Sequence, residues 1–170
     1  VPPQNLDAER CVLGSLMLDG RAIIRVVDIL DAEDFYNTAH RHIYEGMVEL
    51  FSKREPIDIL SISTRLKEKS LMDAIGGTTY LTSLVNSVPT ASNVSHYAEI
   101  VRKKAVLRNL IDVSGQISEL GYQEDEDVGA LLETAEKKIF RISERSLRQN
   151  FMAVKSTLGD AWNRIEHAYA

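Results

Sequence analysis

The chain has 170 residues, 44% of them hydrophobic and 26% charged, and a net charge of −5. No apolar run approaches the roughly 18 residues of a membrane span, and the negative charge argues against tight nonspecific nucleic-acid binding as the main task. Cys11 is the only cysteine, which excludes a disulfide framework and predicts a structural thiol. The opening residues lack the basic and apolar regions of a signal peptide, so we expect a cytoplasmic location.

Apolar residues recur at helical spacing along the chain and strand-like alternation is almost absent, which predicts an all-α fold. Asn5 is placed to cap a first helix over 6–18, and Gly20 separates this helix from the next. The second helix has four apolar residues that we expect to face inward: Ile23, Ile24, Val27 and Leu30.

Three further helices are predicted before residue 90. One begins at Thr38 and places Glu49 four residues before Lys53, a spacing that favours an ion pair on a helix. Asp58 is placed to cap the next helix, and Gly76-Gly77 precedes a short one. We expect these helices to form a compact head.

The stretch from Ser92 to Leu120 has no proline and one glycine, and it predicts a helix of about seven turns. Its early apolar residues share one face: Val94, Tyr97, Ile100 and Val101. Its later ones form a second stripe, displaced by more than a quarter turn: Val106, Leu110, Val113, Ile117 and Leu120, with Leu107 and Ile111 beside it. We infer that the first half of this helix closes the head and that the second half leaves it to pair elsewhere.

The pairing partner follows after the acidic turn at 122–127. A helix there carries an apolar stripe from Val128 to Ile142, so the two stripes should form an antiparallel helical hairpin. Residues 145–150 are polar and basic, and we interpret them as a linker. A last helix begins near residue 154, and its apolar residues recur on one face: Phe151, Val154, Leu158, Ala161, Trp162, Ile165 and Tyr169.

The sequence contains none of the motifs GxxxxGK[ST], GxSxG or HExxH. Its histidines lack the spacing of a metal site, so we expect them to be exposed or to cap helices. The basic cluster Arg102, Lys103, Lys104 and Arg108 is interpreted as a solvated face rather than a nucleic-acid groove. We therefore expect no catalytic residue, no cofactor-binding residue and no metal site in this chain.

The chain resembles DnaB-type bacterial replicative DNA helicases in two stretches. These are PPQNLDAERCVLGSLMLD and IGGTTYLTSLVNSVPTASNVSHYAEIVRKKAVLRNLI, the second with Gly76-Gly77, Tyr80-Leu81, Pro89, Asn93 and Tyr97-Ala98 in the expected order. The resemblance is specific over about residues 3–111 and is one of pattern beyond them.

The resemblance implies an N-terminal domain with a helical head and a protruding antiparallel helical hairpin, followed by a linker helix. The corresponding ranges are 1–105 for the head and 106–144 for the hairpin, with the long helix from about 93 shared between them. A linker over 145–153 and a docking helix over 154–170 follow. The RecA-like motor domain is absent, so we expect a fragment that is not an enzyme. The intact protein would unwind DNA with ATP and magnesium at its motor.

The resemblance also implies partners. Such domains associate as dimers within a hexameric ring and bind the C-terminal domain of primase; some contact a helicase loader, and DNA is bound mainly by the motor. Our candidates for self-association through the hairpin are Leu107, Leu110, Ile111, Val113, Ile117, Leu131, Leu132 and Ile139. The last helix would dock on the motor of an adjacent subunit through Phe151, Val154, Leu158, Trp162 and Ile165.

Three other assignments stay open at this point. One is a free-standing helical nucleic-acid-binding module, which tight and salt-dependent binding of single-stranded DNA would favour. Another is the helicase-binding domain of a primase, which has a similar helical fold, although the opening motif favours the helicase. The third is a structural adaptor with no affinity for primase.

We predict that this chain neither binds nor hydrolyses ATP, because it lacks a glycine-rich loop whose N–H groups could hold the phosphates. Phosphate release from ATP and magnesium, measured on the purified chain, should stay at background. A turnover that co-purifies with the chain through successive columns would contradict the prediction.

Overall fold

The computed structural model describes residues 1–169, apart from the side chains of Met152, Ala153 and Ser156. These residues are mostly helical and contain no strand, which confirms the all-α prediction. The α-helices are α1 (Leu6–Leu18), α2 (Thr38–Ser52), α3 (Ile59–Glu68), α4 (Gly77–Val85), α5 (Val94–Leu120) and α6 (Val128–Tyr169), with short 3-10 helices at Gly20–Arg25 and Ala32–Asp34. The chain divides into two compact units: residues 4–105, here the head, and residues 1–3 with those from 106 on.

The predicted helix starts are fixed by local side-chain caps. Asn5 accepts a hydrogen bond from the N–H of Ala8 at 2.9 Å, and Asp58 accepts one from Ser61 at 2.8 Å. In the acidic turn, Asp127 accepts from the N–H of Ala130 at 3.0 Å. Each cap satisfies a first-turn donor that has no partner within its own helix.

The head has one apolar core, where α1 packs against α2 and α4, and α3 packs against α2 and α4. Its largest fully buried side chains include Leu13, Leu16, Phe35, Ile43, Tyr44, Met47, Ile62, Leu66 and Leu81. The first half of α5 contributes Val94, Ala98 and Val101 to the same core. The first half of α5 is therefore part of the core of the head.

The segment after Gly20 differs from its prediction as a regular inward-facing helix. It is a 3-10 helix, in which Ile23 is buried while Ile24 is 61% exposed. With three residues per turn, the tighter helix turns Ile24 away from the core. Ile24 instead lines a surface groove of about 530 Å³ together with Leu18 and Phe51.

Glu49 does not pair with Lys53 as its spacing predicted. Its carboxylate accepts a hydrogen bond from Arg65 at 2.5 Å and another from Lys69, both from the α3 segment. Burial alone raises the pKa of Glu49, but the hydrogen bonds from Lys69 and Arg65 outweigh it and hold this pKa below its usual value. Two cations from another element thus replace one weak pair within α2.

In the second unit, the later half of α5 and the start of α6 form the predicted antiparallel hairpin. Val113 and Ile142 line one cleft between the two helices, and Leu120 and Leu131 line another. Lys138 Nζ also donates to Gln116 Oε1 across the hairpin at 2.7 Å.

The predicted linker at 145–153 is the main difference in this unit. Residues 128–169 form one helix of 42 residues, so α6 has no break where a linker was expected and no separate helix begins near Val154. Neither glycine nor proline occurs between 130 and 158, and Arg, Leu and Gln are good helix formers. The polarity of the segment indicates solvent exposure and carries no information against a helix. Ala170, the end of the predicted docking helix, lies outside the described residues.

We predict that Gly14→Ala destabilises the head, because a Cβ at Gly14 would lie 2.1 Å from the carbonyl oxygen of Leu84 in α4. Overpacking of this kind costs about 1–3 kcal/mol of unfolding free energy. The matched control is Gly115→Ala, also within a helix, where a Cβ meets nothing within 4 Å. That change should stabilise the chain by roughly 0.5–1 kcal/mol, since glycine is the poorer helix former. Urea unfolding followed by circular dichroism measures both, and equal midpoints for the two variants would contradict the close approach of α1 and α4.

Candidate interaction surfaces

A buried polar cluster joins three helices of the head. The Glu9 carboxylate of α1 accepts hydrogen bonds from the N–H groups of Tyr36 at 2.8 Å and Asn37 at 3.3 Å. It also lies 2.8 Å from Nδ1 of His40 in α2, whose Nε2 contacts the hydroxyl of Tyr80 in α4. Because a carboxylate only accepts, Nδ1 donates to Glu9, and Nε2 forms the hydrogen bond with the Tyr80 hydroxyl.

This cluster corrects the expectation that the histidines are exposed or cap helices, because His40 is fully buried. Its order of acid, imidazole and hydroxyl resembles a catalytic relay, but Glu9 is 1% exposed and His40 is 0% exposed. A substrate has no access to such groups. The arrangement satisfies a buried carboxylate and orients α1, α2 and α4.

The other residues considered for chemistry form structural contacts or have no other reactive group beside them. Arg102 pairs with Glu99 at 2.8 Å, and Arg108 donates to the carbonyl of Pro3 at 2.8 Å. Cys11 is half-buried, and burial raises the pKa of its thiol, which keeps it protonated at neutral pH. Across the described side chains, no three His, Cys, Asp or Glu residues cluster as a metal site would require. In the same part of the chain no helix is both long and apolar enough to cross a bilayer.

Five of the eight residues predicted for self-association are exposed on the hairpin: Leu107, Leu110, Ile111, Leu132 and Ile139. At about 100° per residue, the three on α5 are centred about a quarter turn from the mean direction of Val113 and Ile117, which face α6. Those on α6 lie a quarter turn from the residues that face α5. Since the helices are antiparallel, these displacements bring all five onto one side of the hairpin, which we call the apolar side.

The remaining three predicted residues lie between the two helices. Val113, Ile117 and Leu131 are half-buried and line the clefts of the hairpin. They are placed to hold α5 against α6 and offer less surface to a second molecule.

The residues predicted for docking of the last helix are also exposed, and they align along α6: Phe151, Val154, Leu158, Trp162 and Ile165. The stripe extends beyond the predicted set to Tyr169 at one end and to Leu147 and Phe140 at the other, all exposed. All eight lie within about 40° of one line at 100° per residue, on the face of α6 opposite the hairpin contact.

Phe140 and Leu147 were not among the residues predicted for docking, because Phe140 was assigned to the hairpin and Leu147 to the linker. The spacing of the apolar residues carried the signal. Across the polar stretch they recur every seven residues in two interleaved series, at 140, 147 and 154 and at 151 and 158. Because α6 is a single helix of 42 residues, Phe140 and Leu147 form one continuous surface with the residues predicted for docking.

Comparison with known proteins agrees with this fold. The family model described as the DnaB-like helicase N terminal domain matches residues 1–103. The replicative DNA helicase DnaC of Bacillus subtilis is 37% identical over 169 residues, and the replicative DNA helicase DnaB of Geobacillus stearothermophilus is 37% identical over 166. These alignments cover 99% and 98% of this chain but 37% of each relative. The chain therefore spans little more than a third of the length of these curated relatives.

Two solved structures are also similar. The N-terminal domain of DnaB helicase from Mycobacterium tuberculosis superposes with a TM-score of 0.79 at 36% identity, covering 84% of this chain and 99% of that domain. A structure described as a DnaB-like replicative helicase and its interactions with primase gives a TM-score of 0.69 at 28% identity, covering 81% of this chain and 31% of that one. Since the family model matches more than half of the chain and the mycobacterial domain is matched almost throughout, the chain belongs to the family of DnaB-like helicase N-terminal domains.

Proposed function

We propose that this chain is the N-terminal assembly and primase-interaction part of a replicative DNA helicase. Its family membership supports the helicase assignment over a primase domain. A relative with the same fold is described together with primase, which supports a protein-binding role. In the intact protein, a motor domain would follow α6, bind ATP and magnesium, unwind DNA in the cytoplasm and carry most of the DNA contacts. A helicase loader is a further expected partner.

The apolar side of the hairpin is the observation that carries the assembly part of the proposal. Its five aliphatic residues are 44–61% exposed. Fully burying one such side chain contributes roughly 1.5–3 kcal/mol, and about half of that remains to be gained here by each. A second copy offers the same surface in an isologous contact, which is the commonest arrangement in homodimers.

The stripe on α6 supports docking of this helix on the motor domain of an adjacent subunit. Its eight residues project from one face, and Trp162 is large enough to anchor a helix in a groove. The hairpin contact lies on the other face of α6, so docking leaves the hairpin intact. The surface from Phe140 to Tyr169 is about 44 Å long at 1.5 Å per residue, which is enough to span a domain.

We predict that the chain self-associates through the apolar side at tens of micromolar. Ile111→Asn and Ile139→Asn should lower the mass measured by sedimentation equilibrium to that of a monomer, because each places an amide in an apolar contact. Asp112→Asn is the matched control, since it puts the same side chain on the opposite side of the hairpin and should leave the mass unchanged.

The same measurement with an added primase C-terminal domain tests the second part of the proposal. A mixed complex should form, and its mass should reveal how many primase domains bind each helicase chain. A monomer mass that does not change with concentration would refute assembly through the hairpin. A chain that associates but ignores the primase domain would instead favour a structural adaptor.

We predict that Trp162 is exposed in dilute solution and does not support the fold of the rest. Its side chain is 63% exposed, and it is the only tryptophan, so its fluorescence reports on this site alone. Emission should be that of solvated indole and acrylamide should quench it readily. Trp162→Ala should change the free energy of unfolding, measured by urea unfolding and circular dichroism, by no more than about 0.5 kcal/mol, as for other surface substitutions. Shielded emission together with unfolding of the whole chain by Trp162→Ala would contradict the docking-helix assignment.

A further inference from the structure

The side of the hairpin opposite the apolar side contains a polar cleft between α5 and α6. It has a volume of about 220 Å³. Its lining is Asn109, Asp112, Val113 and Gln116 from α5, and Lys138, Arg141, Ile142 and Arg145 from α6. Helical geometry places Asp112 and Arg141 a quarter turn from the hairpin contact, in the direction opposite to the apolar residues.

The charges in this cleft do not balance. Lys138, Arg141 and Arg145 are three cations, and Asp112 is the single carboxylate. Asp112 accepts from Gln116 Nε2 at 3.0 Å, and Gln116 Oε1 accepts from Lys138 at 2.7 Å, so the lysine contacts an amide rather than the carboxylate. Among the described side chains, none forms a hydrogen bond or an ion pair with Arg141. The cleft therefore has an excess of positive charge and a guanidinium with donors to spare.

The spacing of these cations suits an anion with several oxygens. Positions 138, 141 and 145 are three and four residues apart, which puts them along one side of α6. Arg148 lies three residues further on and is exposed, so the row is about 15 Å long at 1.5 Å per residue. Guanidinium groups bind phosphate oxygens in a bidentate manner, and the amides of Asn109 and Gln116 supply neutral donors within the same cleft.

We propose that this cleft binds phosphate groups of a single-stranded nucleic acid. A row of cations with amide donors between helices can follow successive phosphates of one strand without reading bases. The apolar side used for self-association lies on the other side of the hairpin, so both surfaces can be occupied at once. The proposal goes beyond the assembly role and does not depend on it.

The test is a titration of the full chain with a short oligodeoxythymidylate, followed by amide chemical shifts in NMR spectra at low and at moderate salt. The expected shifts are confined to α5 and α6 around the cleft. Lys138→Gln combined with Arg141→Gln should weaken binding and lower the slope of log affinity against log salt by about 1.4, since each phosphate contact contributes about 0.7 for single strands. Lys137→Gln is the matched control, because Lys137 is the sequence neighbour of Lys138 but pairs with Glu133 at 3.3 Å and is absent from the cleft lining.

Two further probes distinguish the source of the anion. Inorganic phosphate and an acidic peptide of equal total charge should each perturb the cleft less than the oligonucleotide does. The proposal is overturned if the oligonucleotide produces no shifts, if Lys137→Gln weakens binding as much as the double variant, or if either probe binds as tightly as the oligonucleotide.

Discussion

The head depends on one buried carboxylate. Glu9 lies in an apolar interior, where an unpaired charge would cost several kcal/mol, and three donors satisfy it: the N–H groups of Tyr36 and Asn37 just before α2, and His40 in its first turn. His40 extends the interaction to Tyr80 in α4, so α1, α2 and α4 must adopt one relative arrangement for the charge to be matched. Apolar packing alone tolerates small shifts between helices, whereas these hydrogen bonds do not. The core that receives Val94 and Val101 of α5 is therefore fixed by a polar interaction.

Continuity of α6 has the same role in the second unit. Residues 128–169 form one helix, so the period of 3.6 residues per turn sets the position of every residue around the axis along the whole length of α6. The contact with α5, the apolar side, the basic row and the stripe from Phe140 to Tyr169 consequently occupy different faces of one helix. A flexible segment at 145–153 would have removed this relation. Its helical state gives the stripe a defined direction relative to the hairpin.

Sequence reasoning succeeded where the cause was local. Asn5 and Asp58 cap helices through donors three residues away, and the hairpin follows from apolar spacing and a short turn. It failed where the deciding partner is distant in sequence. Glu49 accepts a hydrogen bond from Arg65, which is 16 residues later in the chain. The buried His40 contacts Glu9, which is 31 residues earlier. Contacts at such sequence separations leave no periodic pattern in the sequence. The helical spacing therefore predicted the wrong partner for Glu49, and the polarity of histidine predicted an exposed or capping position for His40.

Net charge illustrates the same difference between global and local properties. The value of −5 acts over the whole surface and is screened beyond about 8–10 Å at physiological salt, so it governs nonspecific attraction. Within a cleft, the groups in direct contact decide, and three cations around Asp112 give a local excess of the opposite sign. Acidic residues are concentrated elsewhere, for example at 124–127 beyond the far end of the hairpin helices. An acidic domain can thus carry a basic surface, because charge is distributed by helix face rather than averaged over the chain.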